Sequence, residues 1–412
     1  MMTPSLGLLR SVASLRQLLQ SWRWLALAIG IASVGAVSTE SSAQALDLRV
    51  AIRKGANTIQ VGSSTAGVVK DAGGRVLGNL EALVPLNATV QGNQVSLGNW
   101  RASQLVIEPS GSGVVWIGDR WYHGKVRLLR QGDGVTAVNV VNIEEYLYSV
   151  VGSEAIPTWP LEALKAQAVA ARTYAIYQSK KGGNRFFDLD TTTATQVYKG
   201  LNNEYVSTVE AVQQTEGQVM TYQGKVILAA FHAASGGHTE NVEDVWMSPL
   251  PYLRGVVDYD QASPVFQWNR SFTPSELSQQ FGGVGTIQSL QPLQRTPQGR
   301  VITLRIIGSQ GSKNLSGAKV REVLKLRSTR FDVTQVNGSF SLLGWGSGHG
   351  IGLSQWGAYG LAQQGVAYSQ ILAHYYQNTR LSQLNVPSLS ALNIDSQAPD
   401  LYSKASTNIG RD

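Results

Sequence analysis

Glu154 is the residue of this sequence whose chemistry and position most suggest a function. A strand-like apolar run, residues 146–151, precedes this carboxylate, and the alanine-rich segment 161–178 follows it. A carboxylate held among apolar groups keeps its proton to higher pH and can then serve as a general acid and base. The same surroundings also suit a buried acid that only accepts backbone N–H bonds, so other segments have to distinguish these two roles.

The segment that follows Glu154 predicts a helix surrounded by protein. Thr158 is a suitable N-cap, and Pro160 lies in the first turn, where a missing N–H costs little. Residues 161–178 contain six alanines and neither glycine nor proline, which favours helix. Because the alanines occupy every face of this helix, it has no polar face to turn toward water.

Two further segments differ from ordinary core sequence. Residues 231–240 read Phe-His-Ala-Ala-Ser-Gly-Gly-His-Thr-Glu, and seven of the seventeen residues in 344–360 are glycine. Glycine at this density lets the backbone approach a ligand closely, although it also suits tight turns in a packed core. No Lys-Ser/Thr pair follows the glycines, which excludes a nucleotide phosphate loop.

Metal binding and serine hydrolysis are alternative chemistries for these two segments, and the spacing of the residues does not favour either. The candidate metal ligands are His232, His238, Glu240 and His349. Their spacing is loose, and no His-Glu-x-x-His helix is present. The sequence has no cysteine, so thiolate ligands and disulfides are excluded. A Ser-His-Asp hydrolase would use Ser235 or Ser354, but neither serine lies in a Gly-x-Ser-x-Gly turn.

The first 45 residues have the pattern of an export signal. Three arginines precede a 14-residue apolar stretch, residues 24–37, and Ala43-Gln44-Ala45 fits the small-x-small cleavage rule. A retained membrane anchor is the alternative, but a spanning helix needs about 20 apolar residues. Cleavage after Ala45 would leave a chain beginning at Leu46 and located in the periplasm or cell wall, with no later segment apolar enough to span a membrane.

The charge of the chain suits an anionic polymer such as the cell wall. The net charge is +7, and removal of three arginines and Glu40 with the signal changes it to +5. The excess is spread along the chain, with no basic cluster and no aromatic stacking motif, so nucleic acid is not an expected partner.

The sequence predicts an α+β fold that is rich in strands, with the buried alanine-rich helix after Glu154 and two lobes around a cleft. Short apolar segments separated by glycine predict strands through the N-terminal part. Smaller features include a helix at 203–216, a hairpin at 218–231 and helical turns around 361 and 371–376. The predicted regions are a signal (1–45), a β-rich region (46–105), a main domain (106–385) with a β-rich insertion (258–340) that contains a short helix after Thr273, and a disordered polar tail (386–412).

Four motifs, in this order, resemble the stage II sporulation protein D / LytB amidase-enhancer family. They begin at Ser153-Glu154 and continue through Ala-Ala-Arg-Thr-Tyr-Ala at 170–175. The other three are residues 231–240, the Leu-Arg-Ser-Thr-Arg-Phe sequence at 326–331, and Gly-His-Gly-Ile-Gly-Leu-Ser-Gln-Trp-Gly-Ala at 348–358. The resemblance covers about residues 120 to 380.

This resemblance implies work on peptidoglycan. Sporulation-type members of the family are lytic transglycosylases that cut glycan strands, preferring strands without stem peptides, and their catalytic glutamate falls on Glu154 in Glu-Ala-Ile-Pro. LytB-type members enhance an amidase, so a non-catalytic wall-binding activator of an N-acetylmuramoyl-L-alanine amidase is the alternative, with that amidase as a candidate partner. Some sporulation members carry a zinc site built with cysteines. This chain has none, and we expect no metal and no other cofactor.

A lytic transglycosylase needs only one carboxylate, because the C6 hydroxyl of N-acetylmuramic acid attacks its own anomeric carbon and leaves a 1,6-anhydro end. Glu154 is therefore the expected acid and base, with a pKa raised by Val150, Val151, Ile156 and Trp159. Trp356 and Tyr359 are candidate platforms for sugar rings. The residues predicted to orient or bind the substrate are Lys165, Arg172, His232, Ser235, His349 and Gln355.

Overall fold

The computed structural model describes residues 46–191, 196–246, 248–384 and 392–396. The predicted signal and most of the predicted disordered tail lie outside the described residues. Helices and strands are mixed in the described part and strands predominate, so the predicted β-rich α+β class is confirmed. The two lobes and the cleft between them stay predictions.

The N-terminal part consists of strands, as the glycine-punctuated pattern predicts. The first seven are β1 (Asp47–Ala56), β2 (Thr58–Ser63), β3 (Gly67–Asp71), β4 (Val76–Leu80), β5 (Leu86–Gln91), β6 (Gln94–Leu97) and β7 (Trp100–Ala102). The next five are β8 (Gln104–Pro109), β9 (Val115–Ile117), β10 (Arg120–Tyr122), β11 (Lys125–Gln131) and β12 (Gly134–Asn142), and β13 (Leu189–Asp190), later in the chain, pairs with β1. They form a seven-stranded sheet in the order β13-β1-β12-β11-β8-β3-β4 and a six-stranded sheet in the order β10-β9-β2-β5-β6-β7. Alternate strand residues, such as Leu48, Val50, Val126 and Leu128, are buried in a shared core.

The apolar run before Glu154 is a helix, and its interpretation as a strand was wrong. Helix α1 (Ile143–Glu154) follows β12 directly, and the side chain of Asn142 caps it by accepting a bond from the backbone N–H of Glu144 at 2.7 Å. The buried residues Ile143, Tyr146, Leu147, Val150 and Val151 recur at helical spacing. An apolar run of six residues does not distinguish strand from helix by itself, which is why the prediction failed.

Helix α2 (Leu161–Gly182) is the buried alanine-rich helix, as predicted, with sixteen of its 22 residues buried. Its N-cap is Pro160 and not the expected Thr158. One face, with Leu164, Ala168 and Ala171, packs into the core of the N-terminal sheets. Other faces, which include Ala166 and Ala170, pack into a second core. Alanine on every face lets both cores come close to the α2 backbone.

The middle of the chain connects α2 to the histidine segment. It contains a short 3-10 helix at Gly200–Asn203, α3 (Val206–Gln213), β14 (Gln218–Tyr222), β15 (Lys225–Val226), β16 (Phe231–His232) and α4 (Val242–Trp246). The predicted helix is shorter than expected. Strands β14 and β15 form the predicted hairpin, and Gln223 and Gly224 take positive φ values of 50° and 75° in its turn.

Residues 258–340 are mostly strands around a third core. The elements are β17 (Gln267–Phe272), α5 (Pro274–Phe281), β18 (Ile287–Arg295), β19 (Val301–Gly308), β20 (Gly311–Ser316), α6 (Gly317–Val323), β21 (Phe331–Val336) and β22 (Ser339–Trp345). The helix expected after Thr273 is α5, and Thr273 and Glu276 form its capping box. The sequence interpretation missed α6, whose N-cap is Ser316.

The C-terminal elements return to the second core. They are β23 (Leu353–Ser354), α7 (Gln355–Gln363), α8 (Tyr368–Tyr375) and β24 (Arg380–Gln383). Strand β23 pairs in parallel with β16, so that His232 lies opposite Ser354. This pairing joins the two unusual segments of the sequence. Within the described ranges no helix is both long enough and apolar enough to cross a membrane.

Candidate active site

Glu154 is the last residue of α1, and the packing of this helix fixes its position. Gly152 lies against the backbone of the 3-10 helix, where a Cβ would come within 2.0 Å of the carbonyl oxygen of Asn203. Only glycine permits that approach. The helix then ends because Ala155 is extended, with its N–H donating to the carbonyl of Val151 at 2.9 Å. The carboxylate therefore projects from the C-terminus of a helix, where the helix dipole disfavours negative charge.

The Glu154 carboxyl group has two donors and one nearby cation. The backbone N–H of Val197 donates to its Oε1 at 3.0 Å, and the nearby carboxamide of Gln355 also favours the ionised carboxylate. Lys199 adds a positive charge at longer range. Burial outweighs these three groups and raises the pKa of Glu154 above its ordinary value. The side chain is nevertheless partly exposed, so a ligand can reach it.

Three aromatic rings from the loop after Glu154 and from α7 form a cluster. Trp159 follows Glu154 in the loop between α1 and α2, and its ring centroid lies 5.0 Å from that of Trp356 and 5.4 Å from that of Tyr359. Trp356 and Tyr359 lie three residues apart on α7 and are themselves 5.4 Å apart. All three rings are only partly buried. A partly exposed aromatic surface is suited to the apolar face of a sugar ring.

Helix α7 also places Gln355. Ser354 caps this helix by accepting from the N–H of Gly357 at 3.2 Å, and Gln355 is its first residue. The Gln355 Nε2 donates to Oε1 of Gln167 on α2 at 3.4 Å. Gln355 thus connects the buried helix to the Glu154 carboxylate, and it is itself buried.

His232 and His349 lie together in a polar cluster, with ring centroids 5.2 Å apart. Nε2 of His349 donates to the carbonyl of Phe231 at 2.9 Å, and its Nδ1 accepts from the N–H of Ile351 at 3.0 Å. Burial, with the nearby Arg300 cation, lowers the pKa of His349 to about 3 and the pKa of His232 well below its ordinary value. Both imidazoles are therefore neutral at physiological pH, and their bonds hold the glycine-rich segment in place.

The buried Arg300 explains part of the glycine content of this cluster. Its Nη1 donates to the carbonyl of Gly348 at 3.1 Å, and its Nε lies 3.4 Å from Oε1 of the buried Glu240. A Cβ at Gly350, where φ is +83°, would lie 2.2 Å from the guanidinium. In the described ranges, no three His, Cys, Asp or Glu side chains come together as metal ligands.

Ser235 belongs to a second buried polar cluster. Its hydroxyl donates to Oδ2 of Asp258 at 2.5 Å, and Tyr375 donates to the other oxygen of the same carboxylate at 2.6 Å. Asp260 accepts the N–H bonds of Gly236 and Gly237, and burial beside Asp258 raises the pKa of Asp260 to about 6. These bonds attach the histidine segment to α8.

Lys165 and Arg172 both lie on α2 and form ion pairs within the protein. Lys165 donates to Glu162 at 2.8 Å, and its ammonium lies 5.5 Å from the centroid of the Tyr368 ring. Arg172 is fully buried and makes two bonds, at 2.9 and 2.5 Å, to the carboxylate of Glu144 at the start of α1. The Arg172 pair thereby fixes α1, and with it Glu154, against α2.

Comparison with known proteins identifies a family. A model of the stage II sporulation protein family matches residues 131–222, and a domain of unknown function matches residues 253–352. The chain is 36% identical over 267 residues to stage II sporulation protein D of Bacillus amyloliquefaciens, covering 60% of this chain and 76% of that protein. It is 34% identical over 274 residues to stage II sporulation protein D of Bacillus subtilis, covering 60% and 76%.

This chain belongs to the stage II sporulation protein D family. It is also 32% identical over 291 residues to the amidase enhancer of Bacillus subtilis, covering 57% of this chain but 40% of that protein. The resemblance stated from the four motifs is therefore confirmed.

In this family member, the structure places Gln355 where it acts on Glu154, and it brings the rings of Trp356 and Tyr359 together on α7. The other five predicted residues make their observed hydrogen bonds and ion pairs with groups other than Glu154. They are Lys165, Arg172, His232, Ser235 and His349. Sequence reasoning missed two groups that act on Glu154, the backbone amide of Val197 and the Lys199 cation. Both lie in a segment without a distinctive motif, so the sequence offered no signal for them.

Proposed function

We propose that this protein is a peptidoglycan lytic transglycosylase that cleaves glycan strands with Glu154 as the single acid and base. Membership of the stage II sporulation protein D family supports a role at the cell wall. The observation that carries the proposal is the raised pKa of the Glu154 carboxyl group, which the chain follows, in the loop after α1, with the Trp159 ring of a partly exposed aromatic cluster. The proposal includes export to the periplasm or cell wall, as the N-terminal segment predicts.

The raised pKa favours the protonated form that must act first. In the first half of the reaction Glu154 would donate its proton to the glycosidic oxygen as the bond from that oxygen to C1 of N-acetylmuramic acid breaks. In the second half the C6 hydroxyl of the same sugar forms the new bond to C1, and its proton passes to the Glu154 carboxylate. The glutamic acid is thereby regenerated, and no water is consumed.

Among the described residues, no second carboxylate acts on the pKa of Glu154, which supports this substrate-assisted reaction. A glycosidase that hydrolyses its substrate normally has two carboxyl groups flanking the bond. In the described part of the chain, the groups that act on the pKa of Glu154 are the Val197 amide, the Gln355 carboxamide and the Lys199 ammonium. None of them can activate water or attack the sugar as a carboxylate would.

Lys199 and Gln355 act in the same direction in the proposed reaction, and burial of Glu154 acts against them. Their hydrogen bond and charge favour the ionised form of Glu154, which arises once the glycosidic oxygen is protonated. Burial favours the protonated form. A carboxyl group balanced between these effects can both give and take a proton during one reaction.

Activation of an amidase is the second candidate function, and the similarity to the amidase enhancer favours it. A non-catalytic activator would bind the wall and would need no proton transfer by Glu154. Both functions predict binding to peptidoglycan, so binding does not separate them.

Cleavage by matched variants tests the proposal. Purified wild-type protein, Glu154→Gln and Glu145→Gln are incubated with glycan strands without stem peptides, and soluble fragments are quantified by mass spectrometry. Glu145 lies on the same helix, and its carboxylate is 3.8 Å from His123. We expect Glu154→Gln to lose at least about a hundredfold in rate, the usual contribution of general acid–base catalysis, and Glu145→Gln to retain activity. Wild-type protein that binds the strands but releases no fragments would instead support the amidase-activator function.

A further inference from the structure

A pocket lies next to the Leu-Arg-Ser-Thr-Arg-Phe motif at 326–331, a motif to which the proposed reaction assigns no role. It has a volume of about 260 Å³ and is called the Arg330 pocket here. Its lining residues are Arg295, Gln298, Gly299, Arg330, Asp332 and Trp345. The pocket therefore combines two cations, one carboxylate, one carboxamide and one indole.

Arg330 is the cation of this pocket that is not neutralised. Its Nη1 donates to the carbonyl of Gly236 at 2.7 Å, and no carboxylate of the described residues lies within ion-pair distance of it. Arg295, in contrast, donates to Asp332 at 2.9 Å and to the backbone carbonyls of Gly299 and Phe331. Because Arg295 and Asp332 compensate each other, the pocket has one uncompensated positive charge, on a partly buried side chain.

The backbone holds Arg330 and Trp345 together. The N–H of Trp345 donates to the carbonyl of Arg330 at 3.0 Å, and the hydroxyl of Ser328 donates to the carbonyl of Trp345 at 2.6 Å. The guanidinium carbon of Arg330 lies 5.9 Å from the centroid of the Trp345 ring. The indole is partly exposed. A cation and an aromatic surface are therefore held side by side in fixed positions, which lowers the entropic cost of binding a ligand.

The Arg330 pocket shares one segment, residues 344–360, with the groups around Glu154. Gly236, which accepts the Arg330 bond, belongs to residues 231–240, and Trp345 belongs to residues 344–360. The second of these segments continues to Gln355, which acts on Glu154, and to Trp356. The two ends of this segment therefore offer two contact surfaces to one polymer chain.

We propose that the Arg330 pocket binds a sugar that carries a carboxylate, namely an N-acetylmuramic acid residue whose lactyl group is free of peptide. Arg330 pairs with the lactyl carboxylate, Trp345 contacts the sugar ring, and Gln298 is positioned for the N-acetyl or hydroxyl groups. This inference rests on the proposed function, since it assigns to the glycan substrate a second contact away from the reacting bond. It predicts a preference for strands without stem peptides, because an amide-linked lactyl group has no charge for Arg330 to pair with.

Ligand-observed NMR with monosaccharides tests the pocket without requiring cleavage. The wild-type protein is titrated with N-acetylmuramic acid, its lactyl methyl ester, N-acetylglucosamine and lactate. We expect N-acetylmuramic acid to bind at least about tenfold more tightly than the other three ligands, as a charge-assisted pair with an arginine implies. Because the ester comparison uses unaltered protein, it does not depend on the folding of any variant.

Two matched arginine variants then locate the binding. Arg330→Gln should weaken N-acetylmuramic acid binding to the level of the ester, whereas Arg327→Gln should leave it unchanged. Arg327 is exposed and belongs to the same motif, so it controls for the loss of one positive charge. The denaturation midpoint of each variant shows whether the fold is retained, since Arg330 also bonds Gly236.

Several results would overturn the proposal. One such result is that the methyl ester or lactate binds as tightly as N-acetylmuramic acid. Another is that a muramyl dipeptide binds more tightly, and a third is that Arg327→Gln loses as much affinity as Arg330→Gln. The outcome is separable from that of the proposed reaction. A protein that binds N-acetylmuramic acid through Arg330 but releases no glycan fragments refutes the transglycosylase and leaves the pocket intact, and the reverse result refutes only the pocket.

Discussion

Replacing Gln355 with methionine tests how the structure sets the pKa of Glu154. The Gln355 carboxamide acts on the Glu154 carboxylate in the direction that stabilises its ionised form. Without this donor the pKa of Glu154, already raised by burial, should rise further. The first step of the proposed reaction requires protonated Glu154, so kcat/KM falls as pH rises through this pKa. The alkaline limb of the pH profile should therefore move to higher pH in Gln355→Met.

The size of this effect follows from the energy of a hydrogen bond to a charged group. Such a bond contributes about 1.5–3 kcal/mol, and 1.36 kcal/mol corresponds to one pH unit of titration. Glu154 is partly exposed, and the Val197 N–H bond remains in the variant, so water replaces part of the lost stabilisation. We therefore expect the lower end of the range, a displacement of about 1 pH unit.

The assay is release of soluble glycan fragments at fixed strand concentration between pH 4 and pH 9, which gives relative kcat/KM. Gln363→Met is the matched control, because Gln363 is exposed at the other end of α7, away from Glu154. The control should keep the wild-type profile. An alkaline limb of Gln355→Met that stays in place or moves to lower pH would refute the reasoning, even if the overall rate falls.

Three other substitutions test the supports of the site. Arg172→Met should lower the free energy of unfolding by about 3 kcal/mol in urea titrations, because it leaves the Glu144 carboxylate without its buried partner. Gly152→Ala should lower it by about 1–3 kcal/mol, because the new Cβ would lie 2.0 Å from the carbonyl oxygen of Asn203. Trp356→Leu should raise KM for glycan strands more than it lowers kcat, because the aromatic cluster is proposed to bind sugar and does not transfer a proton.

Controls distinguish these effects from general damage to the fold. Gly73→Ala should leave stability almost unchanged, since its Cβ meets only a flexible side-chain oxygen at 3.4 Å. An unchanged free energy of unfolding in Arg172→Met would show that the buried ion pair does not hold α1 against α2. An unchanged KM in Trp356→Leu would show that the aromatic cluster does not contribute to glycan binding.

Much of the fold was accessible from the sequence because its patterns are local. The alanine content of α2 predicted a helix packed on every face, and two cores do meet there. The short helix predicted after Thr273 is α5, and the structure shows that Thr273 and Glu276 form its capping box. The six-residue apolar run before Glu154 carried too little periodicity to distinguish strand from helix, so α1 was mistaken for a strand. The N-cap at Asn142 was the signal that could have corrected it.

The site was less accessible, because its contacts connect distant parts of the chain. Glu154 and the Gln355-Trp356 sequence, about 200 residues apart in the chain, were recognised from their motifs. The Val197 amide and Lys199 were not, because a backbone donor leaves no mark in the sequence. The pairing of Arg172 with Glu144 also depends on how α1 packs against α2, which no local pattern determines.

Digestion in water enriched with oxygen-18 tests the central claim most directly. If Glu154 uses the C6 hydroxyl of the substrate as nucleophile, wild-type protein should produce 1,6-anhydromuramyl ends that contain no oxygen-18, and Glu154→Gln should produce none of these ends. Reducing ends labelled with oxygen-18 would show that water attacks the sugar, which would contradict a single-carboxylate, substrate-assisted reaction.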